Sequence, residues 1–287
     1  MQKIYLIIAM MAAMVSCTRE EQLDPDTILL GMGGDQWVRT ELDDWLYHEF
    51  VQPYNMEVKY KWDPYEINLQ KNFVPVDELK VKDLMNAIKK VWIRPYEKQG
   101  GADFIKKLAP KRFVLVGTPE YNDQTPTAGK AEGGNKITIF DVNTFDNTSP
   151  TVVGKILDVV QHEFVHTLHQ NVLYPEEWMT ICSEFYTGSW NATPDNAFRP
   201  LGFVSKYARA NPSEDFAETV SYILTHGQAA FDNYVNGAGD EGAARLRTKE
   251  SIIVNYFKTI WNIDFYETYA GARNGLVDLI QEAMHNL

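Results

Sequence analysis

The segment from Pro150 to Val172 constrains this chain more than any other. Val152, Val153, Ile156, Leu157, Val159 and Val160 make it strongly apolar, and Asn147-Thr148-Ser149-Pro150 offers an N-cap followed by proline in the first turn. The pattern predicts a buried helix running to about Val172. Inside it stands His162-Glu163-Phe164-Val165-His166. Residues four apart on a helix share a face, so the two imidazoles point the same way and can grip one zinc ion, with Glu163 at the edge of that face. Histidines on a buried helix need polar partners, and a metal supplies them. With 6 His among 287 residues, this pattern arises by composition in roughly one such chain in a hundred. His48-Glu49-Phe50-Val51-Gln52 serves as a control, repeating four of the five letters without the second His. It reads as an ordinary surface His and Glu near Pro53.

A zinc ion that does chemistry takes three protein ligands and keeps one position for water or substrate. Glu163 is then placed to hold the attacking water as general base. The metzincin continuation would put Gly at 169 and His at 172; these positions hold His169 and Val172, which excludes that subclass. The other common solution is a Glu on a following helix, and Asn211-Pro212-Ser213-Glu214-Asp215-Phe216-Ala217-Glu218 opens one, predicted through Thr225. Glu214 and Glu218 stack on one helix face. One can ligate zinc while the other accepts the N–H of a ligand His. Asn211 with Glu214 also forms a capping-box pattern, and chemistry alone leaves the two carboxylates nearly even.

Tyr207-Ala208-Arg209-Ala210-Asn211-Pro212-Ser213-Glu214-Asp215-Phe216-Ala217-Glu218 resembles the Tyr-Gly-Arg-Thr-Asn-x-x-Glu-x-Phe-Ala-Glu segment of the anthrax lethal factor protease domain. The likeness covers about residues 155–225. It implies Glu214 as the zinc ligand, Tyr207 as the hydroxyl that stabilises the oxyanion, and Glu218 as support for a ligand His. Thermolysin-like enzymes likewise follow their ligand Glu with an acid four residues later. The whole chain is similar to a family of zinc metallohydrolase lipoproteins encoded beside outer-membrane nutrient importers. The quoted residues are Tyr54-Asn55-Met56-Glu57-Val58-Lys59-Tyr60-Lys61-Trp62, His162 through Gln170, and Glu214 through Glu218. The resemblance implies a metallopeptidase with one zinc, of the type with a downstream Glu ligand (gluzincin), acting on a peptide or protein, with a nutrient importer as a partner. Two other readings stand beside it: a non-catalytic surface module with a structural zinc, and a hydrolase of a non-protein amide such as a peptidoglycan stem.

The N-terminus speaks to location. Lys3, an apolar run from Ile4 to Val15, and Ser16-Cys17 make an export signal, too short for a membrane span of about 20 residues. Met14-Val15-Ser16-Cys17 resembles the lipobox of bacterial lipoproteins, which implies cleavage before Cys17, lipidation there, and an outer-membrane anchor. The acidic tether 18–27 resembles a surface-export signal, so display on the cell surface is expected, with the periplasmic face as the alternative. The other cysteine, Cys182, reads as a small buried hydrophobe. A net charge of -12 repels a phosphate backbone, so nucleic acid is not expected as a partner.

The remaining pattern predicts an α+β, zincin-like metallopeptidase domain with the His-bearing helix packed on a small mixed sheet. Residues 28–145 form an N-terminal α/β lobe and 146–287 a largely helical C-terminal lobe of one domain. Expected elements are a helix over Gln36–Phe50 ended by Pro53, a strand over Met56–Trp62, and a helix over Val76–Tyr96 closed by Gly100-Gly101. They continue with a strand over Phe113–Gly117, a surface loop to Gly134, an edge strand over Lys136–Phe140, and helices over Ile252–Ile263 and Leu276–Met284. Of the lesser residues, His169 is expected as a pocket-wall or hydrogen-bonding group or in a plain structural role, and Tyr186 and Trp190 as a substrate wall or as ordinary aromatic packing. Asp158 orients His162 or faces solvent.

Overall fold

Three short parallel strands and one antiparallel strand frame the long helix. In the computed structural model, which describes residues 38–122, 125–127, 129–132, 135–267 and 274–287, β1 (Glu57–Lys59), β2 (Arg112–Leu115) and β6 (Lys136–Ile139) run parallel, with Val58, Phe113 and Ile137 in register. β5 (Gly129–Glu132) pairs antiparallel with β6, giving the order β1-β2-β6-β5. A separate hairpin joins β3 (Glu120–Asn122) and β4 (Thr125–Thr127). Lys136–Ile139 is therefore an interior strand, not the expected edge, and its outer neighbour comes from the stretch read as loop. Gly129–Glu132 carries no apolar alternation, so nothing local announces a strand; pairing with β6 creates it. The strand expected to reach Trp62 stops at Lys59, where pairing with β2 ends.

The helices of the N-terminal half continue through proline by widening. Glu41–Leu46 (α1) passes into a π-turn, Tyr47–Val51, and then Gln52–Tyr54. Glu78–Ile88 (α2) passes into a π-turn, Lys89–Ile93, and then Arg94–Gly100. Each π-turn lies just before a proline, Pro53 or Pro95. Proline lacks an N–H and crowds the carbonyl four residues back, and a wider turn relieves both constraints. Pro53 thus bends the pattern instead of ending it; the helix stops at Asn55, whose φ is +53°. Gly101, at φ +84°, closes the second helix as expected. Ala102–Leu108 (α3) follows.

Pro150–Asn171 (α4) starts at Ser149, whose hydroxyl faces the Val152 N–H. Val153, Leu157, Val160, Phe164, Val165 and Leu168 bury one side of it. Phe164 packs edge-on against Trp92 and Tyr96, with centroids 5.2 and 5.0 Å apart, and the Tyr96 hydroxyl donates to Gln161 at 2.9 Å. The same helix lies along β5 and β6. After α5 (Glu177–Ile181) and four 3-10 turns come α6 (Pro212–His226), α7 (Gln228–Asn236), α8 (Gly239–Trp261) and α9 (Leu276–His285). Helices α4 and α6 pack side by side. Residues Glu41–Leu287 form one compact unit. The export segment, Cys17 and the tether lie outside the described residues. Among the described residues no helix is long and apolar enough to cross a membrane.

Candidate metal centre

Helices α4 and α6 bring three donor atoms together. His162 Nε2 and His166 Nε2 are 2.9 Å apart, and Glu214 Oε2 lies 3.1 Å from each. Tetrahedral zinc with bonds of about 2.0–2.1 Å has ligand atoms about 3.3 Å apart, so this triangle is the right size for one ion. Among the described residues, His162, His166 and Glu214 are the group able to hold a metal.

The far nitrogens of both imidazoles lie against other side chains. Glu218 Oε1 lies 2.7 Å from His162 Nδ1, and Ser205 donates to Glu218 Oε2 at 2.5 Å. His166 Nδ1 lies 2.8 Å from His169 Nε2. Each ring is thereby oriented with Nε2 toward the shared point, as metal-binding histidines require. His169 is buried against Tyr174 and Phe216; it supports His166 from behind.

Asn211 caps α6, accepting from Ser213 N at 2.9 Å and Glu214 N at 3.1 Å. The capping box is only half built, because Glu214 turns its carboxylate to the histidines. Burial alone would lower the His162 pKa, but Glu214, Glu218 and Glu163 outweigh it and raise it to about 10. The same contacts hold Glu214 well below the usual carboxylate range against the opposing effect of burial. Burial and the neighbouring His166 push His169 down to about 4. An imidazole that holds its proton as firmly as His162 marks a pocket short of positive charge, and a divalent cation meets the same demand.

Tyr207 stacks on His162 with ring centroids 5.9 Å apart. Burial first, and then Glu214, to which its hydroxyl bonds, keep the phenol protonated. Trp190 meets Tyr207 edge-on at 4.9 Å. Glu163, half-buried on α4, acts electrostatically on both His162 and Tyr207. Tyr186, expected as a possible substrate wall, instead turns inward: its hydroxyl donates to Asp215 at 2.8 Å and its ring packs on Phe203. Asp158 does not orient His162, whose Nδ1 faces Glu218; it faces Ser221 and His226. His48 bonds to Gln52 and Glu49 pairs with Lys89, away from any metal cluster.

Two features escaped the sequence reading. One is Ser205 on Glu218. The other is the buried pair of Lys249 with Asp215, 2.6 Å apart. A signal for the second existed, because Lys249 interrupts the apolar stripe Leu246, Ile253, Tyr256 and Phe257 on α8.

The fold and this donor set define the class of zinc-binding metallopeptidases. The chain belongs to the family described as "Putative zinc-binding metallo-peptidase", which it matches over residues 35–266. It is also similar to a solved structure described as "a putative zinc-binding metallo-peptidase from Bacteroides caccae". That likeness has 32% identity and a TM-score of 0.70, and covers 85% of this chain and 90% of the other. A comparison with curated proteins finds no match.

Proposed function

We propose that the chain is a gluzincin-type peptidase, with one Zn2+ held by His162, His166 and Glu214. The observation that carries this reading is the Nε2–Nε2–Oε2 triangle. It is built from three ligands, with the nearest further imidazole, His169, engaged behind His166. Three ligands leave a position for chemistry, which a closed structural site lacks. A bound zinc ion would act as a Lewis acid at that position.

The protein's own groups then have distinct tasks. Glu163 accepts a proton from the attacking water and passes it to the leaving amine. Tyr207, kept protonated, donates a hydrogen bond to the carbonyl oxygen as negative charge develops there. Glu218 and His169 fix the ligand rings, and Trp190 borders Tyr207 as a wall for the substrate.

The test is metal content together with cleavage of a diverse peptide library, comparing wild type with Glu163→Ala. About one zinc in both, with cleavage by wild type alone, supports the proposal. Zinc in both with no cleavage of any peptide favours the structural-zinc module, and absence of zinc after supplementation sinks the reading.

We also propose that the mature chain is an outer-membrane lipoprotein displayed at the cell surface, acylated at Cys17. The support is the apolar run, the Met14–Cys17 pattern and the acidic tether. Labelled palmitate should enter wild type and not Cys17→Ala, and surface protease should remove the wild-type protein from intact cells.

A further inference from the structure

Lys249 and Asp215 both have side chains 0% exposed. Lys249 Nζ donates to Asp215 Oδ1 at 2.8 Å and to the Gly202 carbonyl at 2.7 Å, and lies 2.6 Å from Asp215 Oδ2. The ammonium thus donates to both the carboxylate and a backbone carbonyl. The ammonium also sits 4.3 Å from the Phe203 ring centroid and 5.5 Å from that of Trp178. Asp215 in turn accepts from Tyr186 at 2.8 Å and from the Thr219 hydroxyl at 3.3 Å. The pair is hydrogen-bonded on both sides, yet burying two charges is a poor way to gain stability: apolar residues of the same shape often do as well or better.

What the pair joins gives it another use. Asp215 follows Glu214 in the first turn of α6, so the two carboxylates leave the helix about 100° apart. Glu214 points to α4 and the histidines; Asp215 points to α8. Tyr186 and Gly202 lie in the segment that leads from α5 to Tyr207. Gly202 has φ +93°, and a Cβ there would come within 2.6 Å of Arg245 Cβ, so its carbonyl is held in a conformation that suits glycine. One ammonium thus ties together the turn that carries Glu214 and the segment that carries Tyr207.

We infer that the buried Lys249–Asp215 pair is the positioning device of the metal centre, holding Glu214 and Tyr207 in register with the two histidines. The inference rests on Glu214 being the zinc ligand. It assigns the pair to metal affinity and turnover, with global stability largely independent of it. A ligand carboxylate must be held to within about 0.5 Å to serve a metal site, and Asp215 anchors the first turn of α6 to α8 while Asn211 caps it.

The test uses the full chain, with zinc affinity read by chelator competition, the denaturation midpoint of the zinc-free protein, and kcat and KM on a cleaved peptide. The double variant Lys249→Met/Asp215→Leu replaces the pair with apolar groups. Its midpoint should equal or exceed that of wild type, while zinc affinity falls about tenfold and kcat tenfold or more, with KM within twofold. A folded double variant with wild-type zinc affinity and kcat overturns the inference. Should the double variant fail to fold, Tyr186→Phe decides, because it removes one hydroxyl from Asp215 and leaves the pair intact. Zinc affinity weakened about threefold at an unchanged midpoint supports positioning, and unchanged affinity overturns it. Wild type that binds no zinc defeats the proposed function itself, which separates the two failures.

Discussion

Glu214 and Glu218 stand one helical turn apart and take opposite nitrogens of the same imidazole. Glu214 Oε2 is 3.1 Å from His162 Nε2, and Glu218 Oε1 is 2.7 Å from His162 Nδ1. Two like residues, indistinguishable by type, are separated by a single ring. Only Glu214 also reaches His166 Nε2, at 3.1 Å. The geometry therefore gives them different consequences on removal.

Glu214→Ala should weaken zinc binding by more than a hundredfold, because it deletes a donor of the triangle. Glu218→Ala should weaken it about 10–100-fold, the usual effect of losing the partner of a ligand histidine. Competition with a chelator of known affinity measures both. Equal losses, or a larger loss from Glu218→Ala, would reverse the assignment.

His169→Ala should lower zinc affinity about tenfold by freeing the His166 ring. Burial and the neighbouring His166 hold the His169 pKa near 4, so at neutral pH its Nε2 is free to accept from His166. Its replacement by Gln, which retains an acceptor, should recover part of the loss. A His169→Ala protein with wild-type affinity would leave this contact without a role at the metal.

Tyr207→Phe should cut kcat by about 10²-fold while zinc affinity stays within twofold, since the bond to the developing oxyanion is lost and Glu214, which also loses its contact with the hydroxyl, keeps both histidines. Its stacking on His162 survives the change. Parallel loss of zinc would instead mean that the hydroxyl holds Glu214 in place.

Asp158 offers a pH-dependent test away from the metal. Burial raises its carboxyl to about 6, although the His226 charge opposes the shift. A folded pKa above the unfolded value of about 3.9 means that the native state binds the extra proton. Stability from this group is present below pH 4 and is lost as pH rises through about 6. Asp158→Asn, which mimics the protonated form, should raise the denaturation midpoint at pH 8, with the advantage vanishing near pH 4. The side chain is 40% exposed, so water limits the gain to about 1 kcal/mol or less. A variant less stable than wild type at pH 8 would show that the ionised carboxylate is favourable there.

Several parts of this molecule were legible from local pattern. The apolar face of Pro150–Asn171 and the four-residue spacing of His162 and His166 are properties of one helix, and a helix keeps its own period wherever it packs. The Asn211-Pro212 start of the second ligand helix was equally local. The strand Gly129–Glu132 was not, since it exists through hydrogen bonds to Lys136–Ile139 and has no periodicity to read.

By itself the sequence determined that the two ligand-bearing helices form, which face of the first is apolar and which residue types could meet a metal. Tertiary packing decided the rest. Placing α6 beside α4 allotted Glu214 to the triangle and Glu218 to the far side of His162. Laying α8 behind them turned Lys249, an apparent misfit in an apolar stripe, into the partner of Asp215. The physical reason is range. Backbone propensity and side-chain period act over a few residues, whereas a donor triangle with edges near 3 Å depends on the relative placement of groups 48 and 52 positions apart in the chain, which only the packed core fixes.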